Sequence, residues 1–409
     1  MLTRIWYGFF LAAFLSAMFQ WLVSDQPGIF SLIVNSTFDM ARLSVEIALG
    51  LIGILALWLG FFRIAEQAGI IKVLARILAP LFKRLMPEVP TGHPALGSVT
   101  MNLAANMLGL DNAATPMGLK AMRDLQELNT TRDTASNAQI LFLVLNTSSV
   151  TLLPVTIFLF RAQQGSVDPT AVFIPILMAT SASTITGLLA VAWFQKLKIL
   201  DRVVLAYFAV FAFLMAMLIT WLGSLGADAL SEKSGLIGNL VLFSVIMFFL
   251  TAGMFKRINI YDAFIDGAKE GFEVAVKLIP FLVGMLVAIG VLRASGVFDH
   301  VLEMFRWFFE AIGTNTDFIQ ALPTAFMKPF SGSGARAMML ETMATHGVDS
   351  FPATVAAVIQ GSTETTFYVL TVYFGSVGIR HVRHAIMCGL LADVAGIVTA
   401  ISVSYWFFH

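Results

Sequence analysis

Long stretches of this 409-residue chain carry almost no charge, and nothing else constrains its fold as strongly. Apolar runs lie near 5–23, 43–62, 171–196, 203–222, 235–253, 271–292 and 383–405. A helix needs about 20 apolar residues to cross the hydrocarbon core of a bilayer. Inside lipid the backbone must satisfy its own hydrogen bonds, which limits a spanning chain to helices or a closed barrel. Two further runs, 134–160 and 350–374, are long enough but hold polar clusters at their centres. The pattern predicts an all-α polytopic membrane protein with nine spans. Composition agrees: 12% of residues are charged, against about 25% in soluble domains, so most of the surface cannot face water. That excludes a soluble enzyme and a disordered chain. Lys+Arg and Asp+Glu balance at 25 each, leaving no basic excess for nucleic acid. The single Cys388 excludes an internal disulfide and a Cys-based metal site. His381 and His384 share a helical spacing but lack a nearby carboxylate, so no metal is expected there.

The first run follows Arg4 and reads as a retained span, because no small-x-small cleavage pattern precedes Ser24. Lys and Arg concentrate in the connections 63–84, 120–132, 196–202, 256–269 and 380–383. With nine spans these share a side with Arg4, and the positive-inside rule makes that side cytoplasmic. The N-terminus is thus expected inside and the C-terminus outside.

Residues 93–128 and 318–345 do not read as spans. Each has two helix-like arms around a break: Gly109–Pro116 in the first, Ser331–Gly334 in the second. An arm of about 14 residues rises about 21 Å, short of a core of about 30 Å, so both are predicted to be re-entrant hairpins. An amphipathic stretch precedes each. Ile70–Met86 carries Lys72, Arg76, Lys83 and Arg84; Phe298–Ile312 carries Asp299, Glu303, Arg306 and Glu310. Both are expected to lie in the membrane interface.

The order of amphipathic helix, hairpin and broken span occurs twice. Val45-Glu46-Ile47-Ala48 aligns with Phe272-Glu273-Val274-Ala275, and Ala68-Gly69 with Ser295-Gly296, both at an offset of 227. The hairpin tips align Ala113 with Ala335, an offset of 222. The broken spans align Asn146–Thr151 with Gly361–Thr366, an offset of 215. Five crossings separate the two starts, so the second copy is expected to be inverted. The predicted organisation is one repeat over 1–200, linking spans over 201–255 and a second repeat over 256–409. Inverted repeats with interrupted helices are the pattern of secondary transporters, with the solute near the midplane.

Irregular backbone at membrane depth is tolerated only inside protein or around a polar cavity. Four polar clusters are therefore expected to meet: Asn106 with Asp111 and Asn112; Asn146, Thr147, Ser148 and Ser149; Ser331 and Ser333 with Arg336; Gln360 with Ser362, Thr363 and Glu364. Amides and hydroxyls that both donate and accept suit a polar, nearly neutral or zwitterionic solute. For any one Ser or Thr the competing reading is a bond back to its own helix. Glu364, in the middle of an apolar span, needs a partner, water or a proton. Glu273 and Lys277 have the i, i+4 spacing of a simple helix ion pair. No nucleophile–base pair stands out, and Ser331–Gly334 lacks the Lys-Ser/Thr of a phosphate-binding loop, so an enzyme is not expected.

Three motifs of the first half, Val45–Gly53, Asn102–Gly109 and Asn146–Ser149, resemble the spore maturation protein A family. In the second half, Gly267–Phe272, Ser331–Ala335 and Gln360–Tyr368 resemble the spore maturation protein B family. The chain looks like a fusion of the two. Each half resembles a nucleoside-recognition Gate domain, shared with concentrative nucleoside transporters and a bacterial ferrous-iron transporter. That resemblance implies a bacterial inner-membrane protein with paired hairpins and unwound helices. It also implies a solute held by Asn112, Asn146, Ser148, Ser333, Thr363 and Glu364. The chain departs from the iron transporter, having no GTPase domain and no Cys at the breaks.

The leading expectation is an ion-coupled secondary transporter of a small polar solute that is nucleoside-, amino-acid- or peptide-like. It has membrane lipid as a partner, no nucleic-acid partner, and no cofactor beyond Na+ or H+ as a coupling ion. Homo-oligomerisation is left open. The alternative is a non-transporting scaffold in envelope or spore and peptidoglycan maturation. Fold alone does not decide between them.

Overall fold

The structure, a computed structural model, describes residues 2–109, 111–225 and 227–409, and the side chains of 2, 3, 5, 111–113, 227, 228 and 231 lie outside that description. Among the described residues all regular structure is helical, apart from one isolated parallel bridge between Thr134 and His381. In chain order the helices are α1 (Leu2–Ser24), α2 (Ile29–Gln67), α3 (Ile70–Leu85), α4 (Pro94–Met107), α5 (Asp111–Glu127), α6 (Asn137–Thr147), α7 (Val155–Gln163), α8 (Phe173–Gln195) and α9 (Arg202–Gly223). There follow α10 (Ala227–Phe255), α11 (Ile260–Ala294), α12 (Val297–Ala311), a 3-10 turn at Asp317–Ala321, α13 (Leu322–Met327), α14 (Gly332–His346), α15 (Phe351–Ser362), α16 (Thr366–Ser376) and α17 (Ala385–Phe408). This is an all-α polytopic membrane protein. Among the described residues seven helices are long and apolar enough to cross a bilayer: α1, α2, α8, α9, α10, α11 and α17.

The runs at 134–160 and 350–374 are each split into two half-helices, α6 with α7 and α15 with α16. The first halves start on strong local signals. Ser136 and Gln139 form a reciprocal capping box at the start of α6. Ser350 caps α15, which has Pro352 in its first turn, where a missing N–H costs nothing.

Two elements differ from the sequence reading. Helices α2 and α11 hold 39 and 35 residues, about 58 and 52 Å at 1.5 Å per residue. They outrun the apolar stretches at 43–62 and 271–292, because polar residues such as Asn35 and Asp39 continue the helix. In the first hairpin the reversal is sharper than expected. The second arm begins at Asp111, so Asp111–Pro116 belong to helix α5 rather than to an irregular tip. Gly109 makes the turn with φ +71°, and a β-carbon there would lie 2.5 Å from the Leu153 carbonyl oxygen. Only glycine meets both demands.

Helix boundaries recur at the offsets read from the sequence. Helices α2 and α11 end at Gln67 and Ala294, and α3 and α12 begin at Ile70 and Val297. The joints between them are Gly69 at φ +79° and Gly296 at φ +74°. The first halves of the broken helices end at Thr147 and Ser362. Each break is tied to its own hairpin by a backbone bond at equivalent positions. Leu152 donates to the Met107 carbonyl at 2.8 Å, and Phe367 to the Pro329 carbonyl at 2.9 Å.

The equivalent long helices pack against each other in antiparallel pairs. A β-carbon at Gly267, Gly271 or Gly290 of α11 would lie 2.3 Å from Leu59, 2.4 Å from Ala56 or 2.4 Å from Met40 of α2, so the numbering runs in opposite directions. On α8 and α17, Gly187 faces Ala392 and Gly396 faces Ser183, again antiparallel. Small residues at these crossings allow the close backbone approach that drives helix association in lipid.

The connecting loops are tied at both ends of the bundle. Asp349 accepts from Arg161 at 2.8 Å and from the Val167 amide at 2.9 Å. At the other end Ala135 donates to the His381 carbonyl at 3.0 Å, and Arg383 donates to the Ala135 carbonyl at 3.0 Å. On α11, Lys277 pairs with Glu273 at 3.6 Å, as the i, i+4 spacing suggested, on an exposed face.

Candidate functional site

The two breaks meet. The backbone N–H of Glu364 donates to the carbonyl of Thr147 at 2.7 Å, joining the unwound end of α15 to the end of α6. Four structural pieces converge here: both breaks and both hairpin turns.

Around the first break the polar side chains bond mainly to one another. Asn146 donates to Asn102 Oδ1 and accepts from Asn106 at 3.0 Å and from the Tyr373 hydroxyl at 3.4 Å. Asn102 in turn donates to the Ala114 carbonyl at 2.7 Å, which ties the two arms of the hairpin together. The Tyr373 ring stacks on Phe142, centroids 5.7 Å apart. Thr147 and Ser148 both donate to the Val144 carbonyl, at 2.9 and 2.8 Å, as their own helix end allows.

The second break is built differently. Lys328, at the end of the first arm of its hairpin, is buried and donates to the Gln360 carbonyl at 2.6 Å. Ser331 caps α14 by accepting from the Gly334 amide at 3.0 Å and lies 3.2 Å from the Ser333 hydroxyl. Ser362 donates back to Ile359 at 2.7 Å. Gln360 Oε1 is buried without a hydrogen-bond partner among the described residues. The Thr363 hydroxyl is turned toward the Asp393 carboxyl, which also accepts from the Thr366 hydroxyl at 2.8 Å.

A small cavity of about 100 Å³ lies between the breaks and the hairpin turns. Its wall includes Asn106, Ser149, Lys328, Arg336, Gln360, Thr363 and Glu364. Beside it, a larger cavity of about 530 Å³ runs between α2, α11 and α7, with Arg63, Glu66 and Glu270 at its polar part. The two share Gly109, Thr156 and Arg336 as wall. The Arg336 guanidinium sits over the Phe160 ring, 5.1 Å from its centroid, a cation–π contact that holds it at the partition.

Of the residues singled out in the sequence, Asn106, Ser149, Arg336, Gln360, Thr363 and Glu364 share the small cavity. Asn146 is spent on the asparagine network, and Thr147, Ser148 and Ser362 bond to their own helices. Ser331 and Ser333 sit at the start of α14. Asp111 and Asn112 lie outside the described side chains. Asn102, Lys328, Tyr373 and Asp393 were missed. A signal for three of them was present: Asn102 is one helical turn before Asn106, Lys328 aligns with Asn106 at the hairpin offset of 222, and Asp393 is an acid within an apolar run.

The family model described as nucleoside recognition (Gate) matches residues 48–164 and again 275–380, more than half of the chain. This chain belongs to the Gate family. Spore maturation protein B of Bacillus subtilis (strain 168) is 45% identical over 159 residues, 39% of this chain and 88% of that protein. Spore maturation protein A of the same organism is 39% identical over 160 residues, 39% of this chain and 82% of that protein. In this Gate protein both matched segments contain a hairpin and a break, so the paired architecture and the family assignment rest on the same residues.

Proposed function

We propose that this Gate protein is a secondary transporter of a small polar solute, most specifically a zwitterion of amino-acid size, in a bacterial plasma membrane. The observation that carries the reading is the cavity at the meeting of the breaks and hairpins, with Glu364 on its wall opposed in charge by Lys328 and Arg336. A solute carboxylate pairs with the two cations and a solute ammonium with Glu364. At about 100 Å³ the cavity is below the 300–1,000 Å³ that drug-sized ligands occupy. That favours an amino acid over a nucleoside or a peptide.

Alternating access is the second part of the proposal. Equivalent helices in antiparallel pairs, together with helix joints recurring at fixed offsets, support two inverted repeats. Hairpins α4–α5 and α13–α14 are then re-entrant, entering from opposite sides. Transport moves them and the half-helices against the long α2–α11 pair. The larger cavity is the route to the binding site, and Arg336 over Phe160 is the partition crossed. The Lys/Arg-rich connections support a cytoplasmic N-terminus and an outside C-terminus.

The test is a thermal-shift screen of amino acids, nucleosides and short peptides on the purified full chain. A solute present at 100 times its Kd adds about 2.7 kcal/mol of stability. We expect a shift with one class of zwitterionic amino acid, followed by its uptake into proteoliposomes. No shift with any solute and no uptake would favour a scaffold in envelope maturation instead.

A further inference from the structure

A third cavity, of about 330 Å³, opens at one end of the bundle and shares no wall residue with the two described above. Its walls come from the end of α3 and the turn that follows, the start of α6, the end of α8 and the turn leading into α9. Helices α8 and α9 are long and apolar enough to span, and they meet at this cavity, so it lies where the membrane gives way to water. Four cations, Lys83, Arg84, Lys196 and Lys198, share the wall with two acids, Glu88 and Asp201, which leaves two positive charges in excess. The acids are already engaged. Glu88 accepts from Asn137 at 2.8 Å. Asp201 caps α9 by accepting from the Val203 amide at 2.9 Å and pairs with Arg84 at 3.7 Å. Lys83, Lys196 and Lys198 have no ion-pair partner among the described residues. Lys196 ends α8 in the left-handed region, φ +53°, where glycine is the usual residue, so a charge stands on this wall despite the backbone strain. The adjoining surface is apolar. Trp193 and Leu200, two residues to either side of the stretch 195–198, are each 83% exposed. Large apolar side chains at the end of a span are covered by lipid, with Trp at the level of the headgroups.

We infer that this cavity binds an anionic phospholipid, with the headgroup phosphate among Lys83, Lys196 and Lys198 and the acyl chains along the exposed apolar faces of α8 and α9. Basic pockets between spans are where acidic headgroups bind, and lysine ammoniums act on a phosphate as point charges. A lipid rather than a soluble phosphate follows from the place. The cavity opens among span ends, beside Trp193 and Leu200 and next to amphipathic α3, whose Val73 and Ile77 are exposed. Its volume falls near the low end of the 300–1,000 Å³ that single small ligands occupy, which admits one headgroup. On the topology proposed above it faces the cytoplasmic leaflet, the anionic one. Bound lipid also has a structural consequence. Helix α9 buries little of itself, only Val204 and Leu222, and it is tied to α3 by the Tyr207 hydroxyl, which donates to the Ile77 carbonyl. A headgroup held between the end of α3 and the α8–α9 turn fastens α9 a second time, so the lipid should stabilise the chain.

The inference stands apart from the transport reading, and its test needs no solute. The full chain in a non-ionic detergent at about 0.15 M salt is melted while phosphatidylglycerol or phosphatidylcholine is titrated into the micelles. We expect a saturable rise in Tm with phosphatidylglycerol only. A lysine near an anionic headgroup is worth about fivefold in affinity, so Lys198→Gln should weaken the response about fivefold and the triple variant Lys83→Gln, Lys196→Gln, Lys198→Gln roughly 100-fold. Lys72 and Arg76 lie about 16 and 10 Å from Lys83 along α3, beyond the screening length of about 8 Å at this salt. The double variant Lys72→Gln, Arg76→Gln should therefore keep the full response. If the triple variant does not fold, Lys196→Gly decides: it removes the charge and the backbone strain together, so the lipid-free Tm should hold or rise while the response to phosphatidylglycerol weakens. An equal rise with both lipids would show general solvation by lipid. An equal loss in the triple and double variants would show diffuse surface charge. The same rise with inorganic phosphate and no added lipid would show a soluble ligand. Each of these would overturn the site.

Discussion

At the first break the amides of Asn102 and Asn146 use both their donor and acceptor ends on protein partners. At the second, Gln360 Oε1 is buried without one among the described residues, and three charged groups, Lys328, Arg336 and Glu364, border a cavity. The two breaks stand at equivalent positions and have the same backbone ties to their hairpins, but the first spans residues 148–154 and the second only 363–365, where Thr363 is extended. They also differ in how far each network closes on itself. A closed network gives a rigid, fully hydrogen-bonded joint. A polar atom left open carries a desolvation cost that water or a ligand relieves. On the transport reading proposed above, the first break anchors and the second binds.

Substitutions can break this division. The largest effect is expected at Glu364. The amide in Glu364→Gln keeps the shape but loses the charge facing the solute ammonium, so uptake should vanish while the melting curve of the solute-free protein stays in place. Next comes Arg336→Gln, which removes one of two cations and the contact with Phe160. Solute affinity measured by titration should fall roughly 10- to 100-fold, the range for a lost charged hydrogen bond. On the anchoring side, Asn102→Ala strands the Asn146 donor and the Ala114 carbonyl. It should lower stability by about 1–3 kcal/mol in denaturant melts, with solute affinity of the folded fraction unchanged.

The smallest effect concerns the loop end that bears neither break. His384, hydrogen-bonded side by side with Gln195 at 3.1 Å and stacked on Phe194, is partly buried. Burial, with the Arg383 charge adding to it, holds its imidazole below the ordinary value. The unfolded chain therefore binds the proton more readily. Stability is intact above the ordinary histidine pKa of about 6.5 and declines as pH falls below it. His384→Gln should flatten that part of the pH–stability curve slightly and leave uptake untouched.

Much of the fold was legible because its signals are local. Apolar runs, the Gly69 and Gly296 joints and the ends of α6 and α15 follow from composition and turn chemistry read over a few residues. The lengths of α2 and α11 were not legible, since nothing in the polar residues before Val45 stops a helix that tertiary packing extends. In the site, the clustering of Asn106, Gln360, Thr363 and Glu364 followed from the polar breaks alone. The roles of Thr147, Ser148 and Ser362 could not, because a hydroxyl at a helix end bonds to its own carbonyls or to a solute with the same sequence pattern. Lys328 and Asp393 escaped for another reason. Each is a single charge whose meaning depends on a partner more than 25 positions away, Gln360 for one and Thr366 for the other.

The division between an anchoring break and a binding break is tested most directly by melting Glu364→Gln and Asn102→Ala in parallel, with and without the solute that stabilises the unmodified chain. The account predicts opposite failures: Glu364→Gln melts normally without solute and gains nothing from it, while Asn102→Ala melts early and gains the full solute shift. Retention of the solute shift in Glu364→Gln, or its loss in both variants alike, would contradict it.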